Sequence, residues 1–286
     1  MVSSEIGEPN RGATAQTITS FRNPKVKALR SLRLRKYRQR EGLFLVEGLR
    51  IVEEALSCAA PLETLVYAPE LLTTERAAAL VTRVSPDRRL VLSGDVFRTL
   101  SDRDEPQGIA AVIRIGDRSL AAIPPTDNLL AIVACQLQDP GNLGSIIRTA
   151  DATAASGVIV LEPSVDVYDP RAVRATMGSL FALPVVRLSD EADLNRWFAT
   201  LRAGGLALQV VASSAHGSQD LFDINCRRPL VLLIGSERHG LPASIREEAD
   251  LFARLPMAGR ATSLNVSAAT AAMVYEVIRQ RRTSGN

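Results

Sequence analysis

The chain has 286 residues, 46% of them apolar, and a formal net charge of +3. This length allows two domains of about 100–200 residues each and a sizeable core, and no apolar run approaches the ~20 residues that cross a bilayer. The polar stretch Met1 to Gln16 lacks an apolar run and reads as a tail, not a secretory signal. Cys58, Cys135 and Cys226 are odd in number, far apart and without CxxC spacing. They read as buried free thiols of a reducing cytoplasm, not as disulfides or a zinc site. Neither His216 nor His239 has a partner at metal-ligand spacing, so no metal is expected.

A flexible tail over residues 1–20 leads into a first unit over 21–115. It opens on a basic helix: Arg22, Lys25, Lys27, Arg30, Arg33, Arg35, Lys36, Arg38 and Arg40 occur with no acid among them. Most charge runs are solvated helix faces, but such faces carry opposing charges, and here there are none within the run. The run therefore reads as a polyanion footprint, with Arg30, Arg33, Lys36 and Arg40 as the RNA contacts. Val26, Leu29, Leu32 and Leu34 give that helix an imperfect apolar stripe. A short apolar run (Leu43 to Val46), a helix (Leu49 to Ser57) and a strand (Leu65 to Tyr67) follow. Next come a helix (Glu75 to Thr82) and strands at Leu90 to Leu92 and Ile109 to Ile115. Residues 116–127, with Pro124 and Pro125 among turn formers, read as a linker.

The second unit, 128–286, alternates strand and helix. Leu129 to Gln136 is the continuous apolar run of a strand buried on both faces of a parallel sheet. Helix 143–155, strand 158–161, helix 171–181, strand 185–188 and helix 191–202 follow. Strands 206–211, 230–234 and 251–255 then lead to a long helix, Val266 to Arg282. The fold class is α/β: a parallel-sheet domain preceded by a smaller α/β domain.

Three loops leave the carboxyl ends of strands, where open α/β sheets bind ligands. In the first, Asp139 to Thr149, Pro140 and Gly141 make a turn, and Asn142 is the expected cap of the next helix. Arg148 follows on that helix, either as a planar fork for phosphate or as a salt-bridge partner of a nearby carboxylate. In the second, Gly235 to Pro242, two glycines allow close approach to a ligand. Leu241 and Pro242 stand where a P-loop needs Lys and Ser/Thr, so a triphosphate cradle is excluded. No GxGxxG follows a strand either. The third, Leu255 to Ser267, ends in a helix capped by Ser263 or Asn265.

Taken together these loops resemble the SpoU/TrmH branch of the SPOUT methyltransferases. The residues that carry the resemblance are Asn142-x-Gly144-x-x-x-Arg148-Thr149-Ala150 and Gly235-Ser236-Glu237-x-x-Gly240-Leu241. Pro256-Met257, Ser263-Leu264-Asn265-Val266-Ser267 and Tyr275-Glu276 complete the set. The first unit is similar to the ribosomal-protein-like substrate-binding module often fused to this family. It does so through Asn23-Pro24-x-Val26-Lys27, Phe44-Leu45-Val46-Glu47-Gly48 and Gln107-Gly108-Ile109.

The resemblance implies a deep trefoil knot in the C-terminal segment, an exception to the rule that connections do not thread loops. It implies S-adenosyl-L-methionine bound bent in that knot, mostly by backbone groups around Gly235, Leu255 and Leu264. It further implies a homodimer with the active site near the subunit interface, and Arg148 as the main catalytic residue. Asn142, Glu237, Ser263 and Asn265 would orient and hydrogen-bond the reacting groups. An arginine is an unusual base, because a guanidinium ordinarily keeps its proton. Two roles therefore stay open for Arg148: taking the ribose proton, or positioning phosphate and hydroxyl while the proton leaves elsewhere. The Arg238-His239 pair departs from the family pattern and adds positive charge beside Glu237. The expected activity is methylation of a ribose 2′-hydroxyl in RNA, with large-subunit ribosomal RNA as substrate, in the cytoplasm. Transfer RNA, a base target and a non-catalytic RNA-binding protein on the same fold stand as alternatives. Housekeeping modification and self-protection against a ribosome-directed antibiotic both fit.

Overall fold

A computed structural model describes residues 16–283; residues 1–15 of the expected tail lie outside them. The rest of that tail is engaged: Ile18 bridges Leu92, and its backbone bonds to Val91 and Ser93.

The first unit holds α1 (Pro24–Ser31), α2 (Arg35–Glu41), β1 (Leu43–Glu47), α3 (Leu49–Ser57) and β2 (Leu62–Tyr67). It continues through α4 (Glu75–Thr82), β3 (Arg89–Val91), α5 (Gly94–Arg98) and β4 (Ile109–Arg114). Its sheet runs β1-β4-β2-β3, antiparallel except for the β2–β3 pair. The single basic helix expected from sequence is two short helices. The chain breaks at Leu32 to Leu34, and Leu34 is exposed rather than part of an apolar stripe.

The second unit holds β5 (Leu130–Cys135), α6 (Pro140–Ala152), β6 (Gly157–Leu161), α7 (Pro170–Thr176), α8 (Ser179–Ala182) and β7 (Val185–Leu188). After these come α9 (Glu191–Ala203), β8 (Gln209–Ser213), β9 (Gln219–Asp220), β10 (Leu230–Ile234), α10 (Ala243–Arg246), β11 (Leu251–Arg254) and α11 (Val266–Arg282). The seven strands are parallel, in the order β7-β6-β5-β10-β8-β11-β9. Every residue of β5, β6 and β10 is buried, so these strands read as unbroken apolar runs. From β5 the chain builds outward through β6 and β7, then returns to the other side. The β5–β10 junction is thus the switch point of the sheet, where such folds open a crevice. The expected helix over 171–181 divides at Met177 and Gly178, both with left-handed backbone.

The expected linker is docked: Ile123 is buried against Gly157, and the Arg118 guanidinium donates to the Leu183 carbonyl at 2.7 Å. One apolar core runs through both units. Phe44 of β1 meets Tyr168 at 4.6 Å and Phe181 at 6.3 Å between ring centroids. Gly144 lets α6 and α7 touch, because a Cβ there would lie 2.4 Å from the Ala172 carbonyl oxygen. Cys58 is exposed, against the expectation of three buried thiols. Burial pushes Cys135 up to about 12 and Cys226 up to about 11, far from a reactive thiolate.

Candidate active site

The switch point is built by three elements whose polar side chains converge. Asp139, not Asn142, caps α6: its Oδ1 accepts from the Asn142 N–H at 2.8 Å, with Pro140 in the first helical position. Asp-Pro is the stronger start signal, because proline has no N–H to satisfy and a preset φ. The Asn142 side chain, relieved of capping, reaches across instead. Its Nδ2 donates to Glu237 Oε1 at 3.1 Å, and its Oδ1 accepts from Asn265 Nδ2 at 3.0 Å. Asn265 does cap α11, with Oδ1 accepting from Ser267 N at 2.9 Å and Ala268 N at 3.4 Å; Ser263 does not. Glu237 Oε1 also receives Asn265 Nδ2 and the Val266 N–H, each at 3.4 Å. Three residues from the segments that follow β5, β10 and β11, Asn142 in the first turn of α6 among them, thus form one connected network.

Glu237 is presented by a tight loop in which Ser236 and Gly240 exchange backbone bonds, at 3.1 and 2.9 Å. Only glycine fits at 235, since a Cβ there would lie 2.3 Å from the Gly240 carbonyl carbon.

Beside the network lies a cleft of about 630 Å³ that takes in Gly235, Glu237, Leu255, Ser263 and Leu264. Such a volume suits a ligand of a few hundred daltons. The loop after β11 is unusually open in hydrogen bonding: among the described residues, no backbone N–H from Met257 to Leu264 has an acceptor. Leu264 and Met257 are 44% and 38% exposed, apolar surface on the cleft wall. One wall was not foreseen. The loop after β8, Ser213 to Ser218, brings His216 into the cleft, so both histidines of the chain line it. Nothing in that loop departs from ordinary turn composition; its place depends on β8 lying between β10 and β11.

Arg148 stands apart. It is exposed on α6, lies outside the cleft lining, and has no hydrogen bond or ion pair among the described residues. The salt bridge that would have made it merely structural is absent there.

The basic segment is more engaged than its composition suggests. Arg33 pairs with Asp102, Arg40 with Glu41, and Arg30 bonds Thr99 Oγ1. Arg35 reaches Glu162 at 3.0 Å, and Arg38, counted in the expected footprint, is buried against Asp166. Apart from Glu41, the opposing charges arrive from distant segments. Lys25, Lys27 and Lys36 have no carboxylate partner among the described residues, and Lys36 sits 4.9 Å from the Tyr37 ring centroid.

Among the described residues no helix is long and apolar enough to cross a membrane, and no group of three or more His, Cys, Asp or Glu is placed to hold a metal ion.

A parallel sheet with a cleft and a converging polar network at its switch point defines an α/β protein built to bind a small molecule at the strands' carboxyl edge. Residues 129–275 match the SpoU rRNA Methylase family and residues 23–111 the MRM3-like substrate binding domain. The chain is 37% identical over 248 residues to the 23S rRNA (uridine(2479)-2'-O)-methyltransferase of Streptomyces viridochromogenes, covering 86% of each. It is 33% identical to the 23S rRNA (guanosine(2553)-2'-O)-methyltransferase of Bacillus subtilis, covering 91% of this chain and 98% of that one. The crystal structure of the SpoU methyltransferase AviRb from Streptomyces viridochromogenes with AdoMet superposes with a TM-score of 0.87. That pair is 36% identical, and the match covers 93% of this chain and all of the other. The chain belongs to the SpoU rRNA methylase family.

Proposed function

We propose that this protein transfers a methyl group from S-adenosyl-L-methionine to a ribose 2′-hydroxyl of large-subunit ribosomal RNA. The observation that carries this reading is the Asn142–Glu237–Asn265 network beside the cleft, in a chain of this family.

The cleft fits the cofactor's chemistry. The unbonded N–H groups from Met257 to Leu264 can meet the polar edge of a purine, and Leu255, Met257 and Leu264 its faces. The cofactor supplies an electrophilic methyl on a sulfonium. The ribose oxygen forms the new bond to that methyl as the carbon–sulfur bond breaks, the thioether leaves, and the hydroxyl proton passes to a base or to water. Asn142 and Asn265 hold Glu237 Oε1 in one place, leaving Oε2 able to accept a hydrogen bond. Arg148, with its donors free, is suited to grip a phosphate next to the target ribose.

Because Arg148 lies outside its own chain's cleft, the reading includes a homodimer with the site completed near the interface, and a knotted C-terminal segment. The apolar residues Val266, Met273 and Val277 of α11 are buried in the chain's own core. Tyr275, 55% exposed on the same helix, is what remains for a partner. Light scattering on the full chain at micromolar concentration is expected to give twice the chain mass; a monomer removes the shared site.

The N-terminal module grips the RNA in the cytoplasm, through Lys36 and the surrounding Arg30, Arg33 and Arg40, joined by Lys25 and Lys27. Replacing Lys25, Lys27 and Lys36 together by Glu is expected to weaken RNA binding and to flatten its salt dependence by about 0.7–0.9 per lost phosphate contact. Cofactor affinity should not move. Dissociation constants across a salt series check this, and identical slopes would place the grip elsewhere.

The function is tested by mapping ribose methylation on ribosomal RNA from cells with and without the protein. One 2′-O-methyl site that depends on the protein is expected. A methylated base, or a mark on transfer RNA alone, overturns it. Drug sensitivity of the two ribosome populations separates housekeeping from self-protection.

A further inference from the structure

Beside the shared apolar core, one buried ion pair spans the two units. Arg38 and Asp166 are 2% and 8% exposed. Arg38 donates from Nε and Nη2 to Asp166 Oδ2 at 3.0 and 2.6 Å, and from Nη1 to the carbonyls of Leu32 and Arg33 at 2.9 and 2.7 Å. The last two are the carbonyls at the break between α1 and α2. Asp166 lies in the segment after β6, and its Oδ1 accepts from the Tyr168 N–H at 3.0 Å. Three residues on, Asp169 caps α7, and α7 is the helix against which Gly144 seats α6. The guanidinium therefore ties α1, α2 and the approach to α7 into one body. Arg35 repeats the link on the surface through Glu162.

A buried ion pair is a weak source of stability, since apolar residues of similar volume often replace it at no cost; its best-attested use is to fix one arrangement among several. We propose that Arg38 is a positioning residue. It sets α1 and α2, with their unpaired lysines, at one distance and angle from α6, so that RNA held by the first unit presents a single ribose at the transfer site. This rests on the proposed function. It assigns Arg38 to substrate delivery and not to RNA contact, which its burial forbids.

The test uses the full chain, S-adenosylmethionine and an unmodified 23S rRNA transcript. It compares wild type with R38M/D166L, which replaces the pair by apolar groups, and with R38K, which keeps the charge but loses the fork. Wild type that leaves the transcript unmethylated counts against the proposed function, not against this inference. Expected for R38M/D166L are unchanged cofactor and RNA affinities and a rate at saturating RNA lower by about 10- to 100-fold, the size of effect that ångström-scale misplacement causes. Methyl groups should also appear on neighbouring riboses. R38K should fall between the two. A wild-type rate and a single methylated nucleotide in R38M/D166L overturn the proposal. So does a parallel loss of cofactor affinity and rate in both variants, which would make the pair a general support of the fold. If the double variant fails to fold, R38K at the wild-type rate overturns it alone.

Discussion

Arg148→Ala is expected to lower the single-turnover rate of methyl transfer by about 10²–10⁴-fold, the range that a positioned proton-transfer group contributes. Cofactor affinity should be almost unchanged, because Arg148 is absent from the cleft lining. The substitution should also be near neutral for folding: Arg148 is exposed and engages no partner among the described residues, and such surface changes stay within about 0.5 kcal/mol. A thermal midpoint like that of the wild type, beside a collapsed rate, is thus the expected pair of results. Arg148→Lys divides the two roles left open by sequence. If the residue only neutralises phosphate, lysine should restore part of the rate as a point charge. If it acts through a planar fork on phosphate and hydroxyl together, lysine should restore little. Normal turnover in the alanine variant ends the assignment.

What sequence could and could not show follows from how each feature is encoded. The central strands β5, β6 and β10 of the large sheet are buried on both faces, so their runs of Val, Ile and Leu announce them without any partner in view. The first two loops were legible because each follows such a strand; the third follows the partly exposed β11 and was legible from the start of the helix it opens. The Asn142–Glu237–Asn265 contact then depends on β10 lying beside β5, a non-local pairing no window of sequence contains. Asn142 was misjudged because Asn and Asp are equally good caps, and the proline after Asp139 decided between them. The partners of the basic segment were hidden for another reason: Asp102, Glu162 and Asp166 come from far along the chain. A local absence of acids says nothing about tertiary partners. Two of them, Glu162 and Asp166, lie in the second unit and convert part of the basic segment into a joint between units.

Leu264→Arg is expected to remove S-adenosylmethionine binding, with a loss of at least about 100-fold, or roughly 2.7 kcal/mol. Leu264 lies on the cleft wall, 44% exposed, between Ser263 and the α11 cap Asn265. It sits within the stretch whose N–H groups await acceptors. Two effects act together. A longer side chain fills the space against which a purine would pack. Its fixed positive charge also faces a ligand that carries a cationic sulfonium, in a cleft that already holds Arg238 and Arg246. Any ligand seated there would also have to desolvate the new guanidinium, which costs binding free energy. The folded protein should tolerate the change, since the side chain projects from a partly exposed site and leaves no cavity behind. Leu264→Ala is the control: it removes packing but adds no charge, and should weaken binding far less. Calorimetric titration of both variants, alongside circular dichroism to confirm the fold, reads the difference directly. A folded Leu264→Arg protein that binds the cofactor as tightly as wild type would move the cofactor out of this cleft.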